Sequence, residues 1–221
     1  HQAPFTEQQN RLATIDFDPA LTNAAVVLAG ETGPYSGEFP DTIVKGDFNN
    51  VAPRVGAAWR VAAGSIVRAG YGINYSANIY QTLAQQLANQ PPFTSANSVF
   101  GTTTDPLALQ TALLQPSGTL TNTYAIDPNL ATPRVQIWNA DYQKDLRRTV
   151  TLGVGYIGTR GSSLLLSRAP NRTATGLYNP LLPAFVFTTS DGQSTMNALT
   201  LRVRKRFTHG IAGGVTYTLS K

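Results

Sequence analysis

The sequence predicts an all-β fold: an antiparallel up-and-down transmembrane β-barrel segment of about six long strands in three hairpins. Three observations predict it. Six stretches of about ten to twelve residues alternate apolar with small or polar side chains, the period-2 signature of a strand with two unlike faces. Tight turns close the hairpins at one end, while long loops, able to hold short helices, join them at the other. Charged residues are only 13% of the chain, about half the share usual in a soluble domain, which suits a wall whose outer face meets lipid.

Residues 1–50 are rich in Gly, Pro, Asp, Asn and Thr and read as a loop-rich segment, with short strands expected in Arg11 to Asp18 and Asn23 to Gly30. The first hairpin pairs strands at 51–61 and 65–76. Val55, Ala57, Trp59 and Val61 share one face of its first strand, and Arg54, Gly56, Ala58 and Arg60 the other. In its second strand Val67, Ala69, Tyr71, Ile73 and Tyr75 oppose Arg68, Gly70, Gly72 and Asn74. A long excursion at 77–132 follows, in which Ile79, Leu83 and Leu87 predict a short amphipathic helix stopped by Pro91 and Pro92. Residues 105–115 are a weaker helical segment.

The second hairpin is expected at 134–145 and 149–159. Trp138, Ala140 and Tyr142 oppose Asn139, Asp141 and Gln143, with Ile137 out of phase; on the return strand Val150, Leu152, Val154 and Tyr156 oppose Thr151, Gly153 and Gly155. After a second long loop at 160–196, the third hairpin occupies 197–207 and 211–220. There Leu199, Leu201, Val203 and Phe207 oppose Thr200, Arg202, Arg204 and Arg206.

These lengths fit a tilted membrane crossing, for which a strand needs roughly nine to eleven residues, better than a globular strand of about five or six. A soluble β-sandwich shares the alternation but calls for shorter strands and similar turns at both ends. Trp59, Tyr142 and Phe207 near the short turns, with Tyr75, Trp138 and Tyr156 near the long loops, form the two aromatic girdles expected at the interfaces. Lys205 interrupts the apolar face close enough to a turn to snorkel. Arg54, Arg60, Arg68, Arg202, Arg204 and Arg206 lie on the opposite face. An arginine facing lipid at mid-membrane costs about 2–4 kcal/mol, so this basic strip must face the lumen. There it forms either a hydrated wall with carboxylate counter-ions or a guide for an anionic substrate.

Other chemistries find little support. With no cysteine and only His1 and His209, neither a disulfide framework nor a Cys/His metal site is expected, and no metal or cofactor is assigned. The net charge of +5 comes without a dense basic block carrying interleaved aromatics, so no nucleic-acid partner is expected. Gly153 to Gly158 has the spacing of a dinucleotide-binding turn but lies within a strand rather than before a helix. Asp16, Asp18, Asp41 and Asp47 lack calcium-loop spacing and read as solvated loop acids. Asn171-Arg172-Thr173 matches a glycosylation acceptor that carries no meaning in a bacterial outer membrane. No Ser-His-Asp arrangement is suggested, so no catalytic residue is assigned and the chain is not expected to be an enzyme.

Taken in order, NNVAPRVGAAWRV, VRAGYGINY, PRVQIWNADYQKDL, TVTLGVGYIGTRGS, NALTLRVRKRFTHG and GGVTYTLSK resemble the barrel of Oar-like TonB-dependent outer-membrane receptors, over about residues 45–221. The central loop matches only at Asn89 to Phe93. The resemblance implies a large barrel in the bacterial outer membrane, of a family that carries a carboxypeptidase regulatory-like domain. Its implied partners are the lipid bilayer, an N-terminal plug, the remaining strands of a parent chain, a TonB-type energising protein and an unknown ligand. Neither terminus reads as natural, so the chain is expected to be a piece of a longer protein. First contact with ligand is expected from the loops, with Tyr80, Phe93, Phe100, Tyr124 and Arg160 as candidates, and plug or substrate contact from Arg54, Arg68, Arg202 and Arg204. Two other readings stand beside transport: a structural or adhesive surface protein anchored by the barrel, and a self-assembling fragment with open sheet edges.

Overall fold

The computed structural model describes residues 3–76, 79–98, 119–120, 123–147, 149–208 and 210–221. In chain order the elements are β1 (Ala13–Phe17), β2 (Ala24–Leu28), β3 (Thr32–Gly33), β4 (Gly37–Glu38), β5 (Arg54–Ala62), β6 (Ser65–Tyr75), α1 (Ile79–Ala88), β7 (Asn97–Ser98), β8 (Thr119–Leu120), β9 (Tyr124–Ile126), β10 (Arg134–Arg147), β11 (Val150–Arg168), β12 (Arg172–Thr173), β13 (Gly176–Leu177), β14 (Val186–Thr208) and β15 (Ile211–Ser220). Contacts divide the chain into two units. A wall unit comprises Asn49–Ser76, Thr132–Leu164 and Asp191–Lys221, and a loop unit comprises His1–Phe48, Ala77–Ala131 and Leu165–Ser190.

The wall is an up-and-down antiparallel meander in the order β15-β14-β11-β10-β6-β5. The pairings from β5 to β11, and that of β14 with β15, keep like faces together. Across one row Ala57, Ala69, Ala140 and Tyr156 align; across the next toward the short turns, Trp59, Val67, Tyr142 and Val154. Slipping any strand by one residue would turn its apolar set into the lumen, so the pattern itself enforces this register. All three hairpins carry a register shift beside the short turn, at Arg60/Ala62, Asp145/Arg147 and Lys205/Thr208. Such bulges increase local twist where the chain reverses. The β5–β6 turn also needs a left-handed residue, supplied by Gly64 at φ 67°, whose carbonyl accepts the Asp145 amide at 2.7 Å.

Two strands are longer than the sequence predicts. β11 continues to Arg168 rather than ending near 159, and β14 begins at Val186 rather than 197, so the loop expected at 160–196 shrinks to 169–185. Gly161-Ser162-Ser163 reads as a turn, yet Ser163 takes a left-handed φ of 54° within a strand that continues. One such residue bends a paired strand without ending it.

The loop unit has a conventional interior. β1 and β2 pair from Ala13↔Leu28 to Phe17↔Ala24, and Leu12, Val27, Phe39, Ile43, Leu83, Leu87 and Leu130 form its main buried cluster. α1 contributes Ile79, Tyr80, Leu83 and Leu87, one stripe of a helix, and ends before Pro91. A second cluster holds Ile15, Ala125 and Phe185, with Phe17 stacked edge-on against Phe187 at 5.0 Å. Buried polar side chains stitch the irregular backbone. Asp16 is buried and not a solvated acid: it accepts the amides of Tyr35 and Ser36 at 2.8 and 3.1 Å. Gln90 donates to the Ala13 carbonyl and accepts the Tyr124 amide. Fully buried Asn171 donates to the carbonyls of Asn179, Leu182 and Pro183, so the residue noted as a sugar acceptor is an internal organiser of its loop. The weaker helix at 105–115 lies outside the described residues.

Candidate functional site: an arginine-rich lumenal face

The register places Arg54, Arg68, Asn139, Asp141, Gln143, Gly153 and Gly155 on one face of β5, β6, β10 and β11. Arg202, Arg204 and Arg206 lie on β14, the next strand in the sheet. At the centre stands Asp141. It lies directly opposite Arg68, at 3.7 Å between charged atoms, and also accepts a short ion-pair contact from Arg202.

Arg202 starts two strands away from Asp141, on β14, with β11 between them. The glycines of β11 open its path. A Cβ on Gly153 would meet the Arg202 Nε at 3.3 Å, and one on Gly155 would meet the Asp141 Oδ2 at 3.1 Å and the Arg202 Nη2 at 3.3 Å. The guanidinium therefore lies flat in a groove that any side chain on these two residues would fill. The nucleotide-like spacing of Gly153 and Gly155 is thus a slot for an arginine.

The rest of the face is arranged in the same way. Arg68 donates to the Gln143 Oε1 at 3.3 Å. Arg54 donates to the Asn74 Oδ1 at 2.7 Å, with Gly72 beneath its Cγ. Asn139 lies over Gly70, and the Asp145 carboxylate accepts the Thr151 hydroxyl at 2.8 Å. Arg204 has no hydrogen-bond or ion-pair partner among the described residues. Arg68 and Arg202 keep 49% and 48% of their side-chain surface exposed, so their ion pairs contribute at most about 1 kcal/mol. What the cluster sets is position. Guanidinium groups held by one central carboxylate leave donors facing the lumen, and their planar fork suits bidentate binding of carboxylate or phosphate.

The opposite face carries the aromatic residues expected to form the girdles. Trp59 and Tyr142 share a row toward the short turns. Toward the long loops, the Trp138 indole lies over Gly158, which has no room for a Cβ, and Tyr71 faces Trp138 across the strands. The Tyr71 hydroxyl donates to the Gln136 Oε1 at 3.2 Å and the Tyr156 hydroxyl to the Asn197 Oδ1 at 2.7 Å. Tyr75 lies on the same apolar face of β6, while Phe207 is exposed within the register shift of β14. Amphipathic rings with satisfied polar tips suit an interface that is apolar on one side and wet on the other.

The loop candidates scatter. Tyr80 is buried at 4% exposure in the loop-unit core, so it cannot make first contact with a ligand. Tyr124 is half-buried in β9, paired with Val186. Arg160 is not in a loop: it sits in β11 opposite Gln136, on the apolar side of the sheet. Phe93 is exposed just beyond α1, and Phe100 lies outside the described residues. Sequence reasoning put Asp141 on the lumenal face but did not identify it as the acid that two arginines share. Its only signal was its place in the alternation; its alignment with Arg68 and Arg202 depends on strands from three different hairpins.

Over residues 1–221 the sequence matches a family described as an outer membrane beta barrel domain. No curated protein matches it.

Proposed function

The chain belongs to the outer-membrane β-barrel domain family and resides in the bacterial outer membrane with its apolar face against lipid; from that premise we propose that it forms wall and surface loops of an Oar-like, TonB-dependent receptor. In this reading a ligand enters from the loops and passes a plugged lumen when an energising partner acts. The observation that carries the reading is the lumenal face, where Arg68 and Arg202 share the acid Asp141, Arg204 lines the same hollow, and Arg54 lies farther along the face on Asn74. A wall used only as an anchor has no need for glycine slots that hold arginines toward the lumen. Arg54, Arg68, Arg202 and Arg204 then contact the plug or an anionic ligand, and exposed Phe93 is the remaining described loop candidate for first contact.

The test is planar-bilayer conductance of the protein purified from native outer membranes. A plugged receptor is closed in buffer and opens reversibly when mild denaturant releases its plug. Conductance that is open from the start, or absent at every denaturant concentration, would sink the proposal. The second outcome would favour the surface-anchor reading, for which the loop unit's own buried core is the supporting observation.

A further inference from the structure

On the lipid side of β10 and β11, just past Trp138, the apolar pattern stops. The next two rows toward the long loops pair Gln136 with Arg160 and Arg134 with Ser162. Both arginines share the face of Trp138, because successive outward positions are two residues apart. As diagonal neighbours on adjacent strands their side chains start about 7–8 Å apart, within reach of one small anion. The Arg134 Nε donates to the Ser162 Oγ at 3.2 Å, which fixes its guanidinium; its two terminal nitrogens bond to no group among the described residues and can bond outward.

The height of this pair above the opposite interface can be measured along the strand. At the short-turn end, Lys144 faces lipid opposite Leu152. The interval from Leu152 to Arg160 is eight residues. At about 3.4 Å per residue and a tilt of 35–45°, that corresponds to about 20 Å of membrane height. Long basic side chains at each end, snorkelling outward, then bracket an apolar band of about 25 Å. Lys144 reaches the inner headgroups, and Arg134 and Arg160 reach the outer ones.

We propose that Arg134 and Arg160 form a lipid-facing site for the phosphate of an outer-leaflet lipid headgroup, with Ser162 orienting Arg134 and the Trp138 ring supporting the acyl chain below. Two guanidinium groups above an aromatic ring match a ligand with an anionic head and an apolar tail. The site lies on the opposite side of the sheet from the lumenal cluster and does not depend on the transport reading.

The test uses the full chain folded in detergent and native mass spectrometry. The probes are a phosphorylated outer-leaflet glycolipid, the same lipid with its phosphates enzymatically removed, and inorganic phosphate. The expected result is retention of the phosphorylated lipid at least tenfold better than the dephosphorylated one, with no comparable binding of inorganic phosphate. The Arg134→Gln/Arg160→Gln double variant should lose that preference, while Arg172→Gln, which removes an exposed arginine outside the wall, should keep it. Equal retention of the two lipids by the unmodified chain would overturn the proposal without any variant having to fold. Equally strong binding of inorganic phosphate would overturn the lipid assignment, and an unchanged preference in a folded double variant would overturn the assignment to these arginines.

Discussion

The loop unit and the wall unit draw on the same kinds of apolar residue and use them in opposite ways. In the loop unit Phe39, Val44 and Leu130 are each about 2% exposed. In the wall Val55, Trp59 and Val215 are 68%, 70% and 70% exposed. One unit buries its apolar groups against its own chain, with Asp16, Gln90 and Asn171 satisfying the irregular backbone between them. The other satisfies its backbone through the strand ladder and leaves its apolar side chains for lipid to cover. Hydrophobic residues therefore do not by themselves mark an interior; what covers them depends on the solvent in which the backbone closes.

Substitutions test that contrast from both sides. The largest effect is expected in the loop unit, where Phe39→Ala should cost about 3–5 kcal/mol by leaving a cavity. The readout is amide exchange: the Ala29 and Ile43 amides, bonded to the Leu12 and Pro40 carbonyls, should lose protection. Unchanged exchange would mean that the buried cluster does not hold this unit together.

Next comes the wall's outer face. Val154→Arg places a charge toward lipid in the Trp59–Val67–Tyr142 row and should cost about 2–4 kcal/mol of folding stability in vesicles. Thr151→Arg, directed to the lumen, should cost much less. Equal losses from the two would reverse the assignment of the faces.

A smaller effect is expected in the lumen. Asp141→Ala removes an acid from half-exposed ion pairs and should change stability by no more than about 1 kcal/mol. It also frees Arg68 and Arg202, so the reversal potential of an opened pore should shift toward anion preference. No shift would mean that Asp141 does not control the charge of the lumen.

The smallest effect lies in the exposed β1–β2 turn. There the Thr22 hydroxyl, followed by the Thr22 and Asn23 amides, holds the Asp18 carboxyl below its usual range, against a weaker opposing effect of desolvation. A folded pKa below the unfolded one contributes stability above the unfolded pKa, and that contribution is lost as pH falls through the folded pKa. Thr22→Val should raise the Asp18 titration toward 3.8, seen by carboxyl NMR, so that the acid loss begins at higher pH. An unmoved titration would remove the hydroxyl as its main cause.

Much of the wall was legible in the sequence because a strand's period is two and does not vary. The alternation from Arg54 to Tyr75 assigns each side chain to a face before any partner is known. The length of β11 was not legible, because Gly161 and Ser163 carry the composition of a turn while the pairing continues through them. The misplacement of Arg160 follows from that one error. Tyr80 and Asp16 failed for another reason: burial in an irregular unit is decided by residues far away in the chain, such as Leu130 for the helix and Ser36 for the carboxylate.

The two faces of the wall, the short-turn end of its hairpins and the aromatic rows all follow from side-chain alternation and local turn chemistry, and so can be read from the residues alone. The tertiary structure decided which lumenal residues meet. Asp141 binds Arg68 and Arg202 because β6, β10, β11 and β14 align in one register and β11 offers glycine where Arg202 must pass. That alignment spans three hairpins, and only the pairing of whole faces across the sheet can set it.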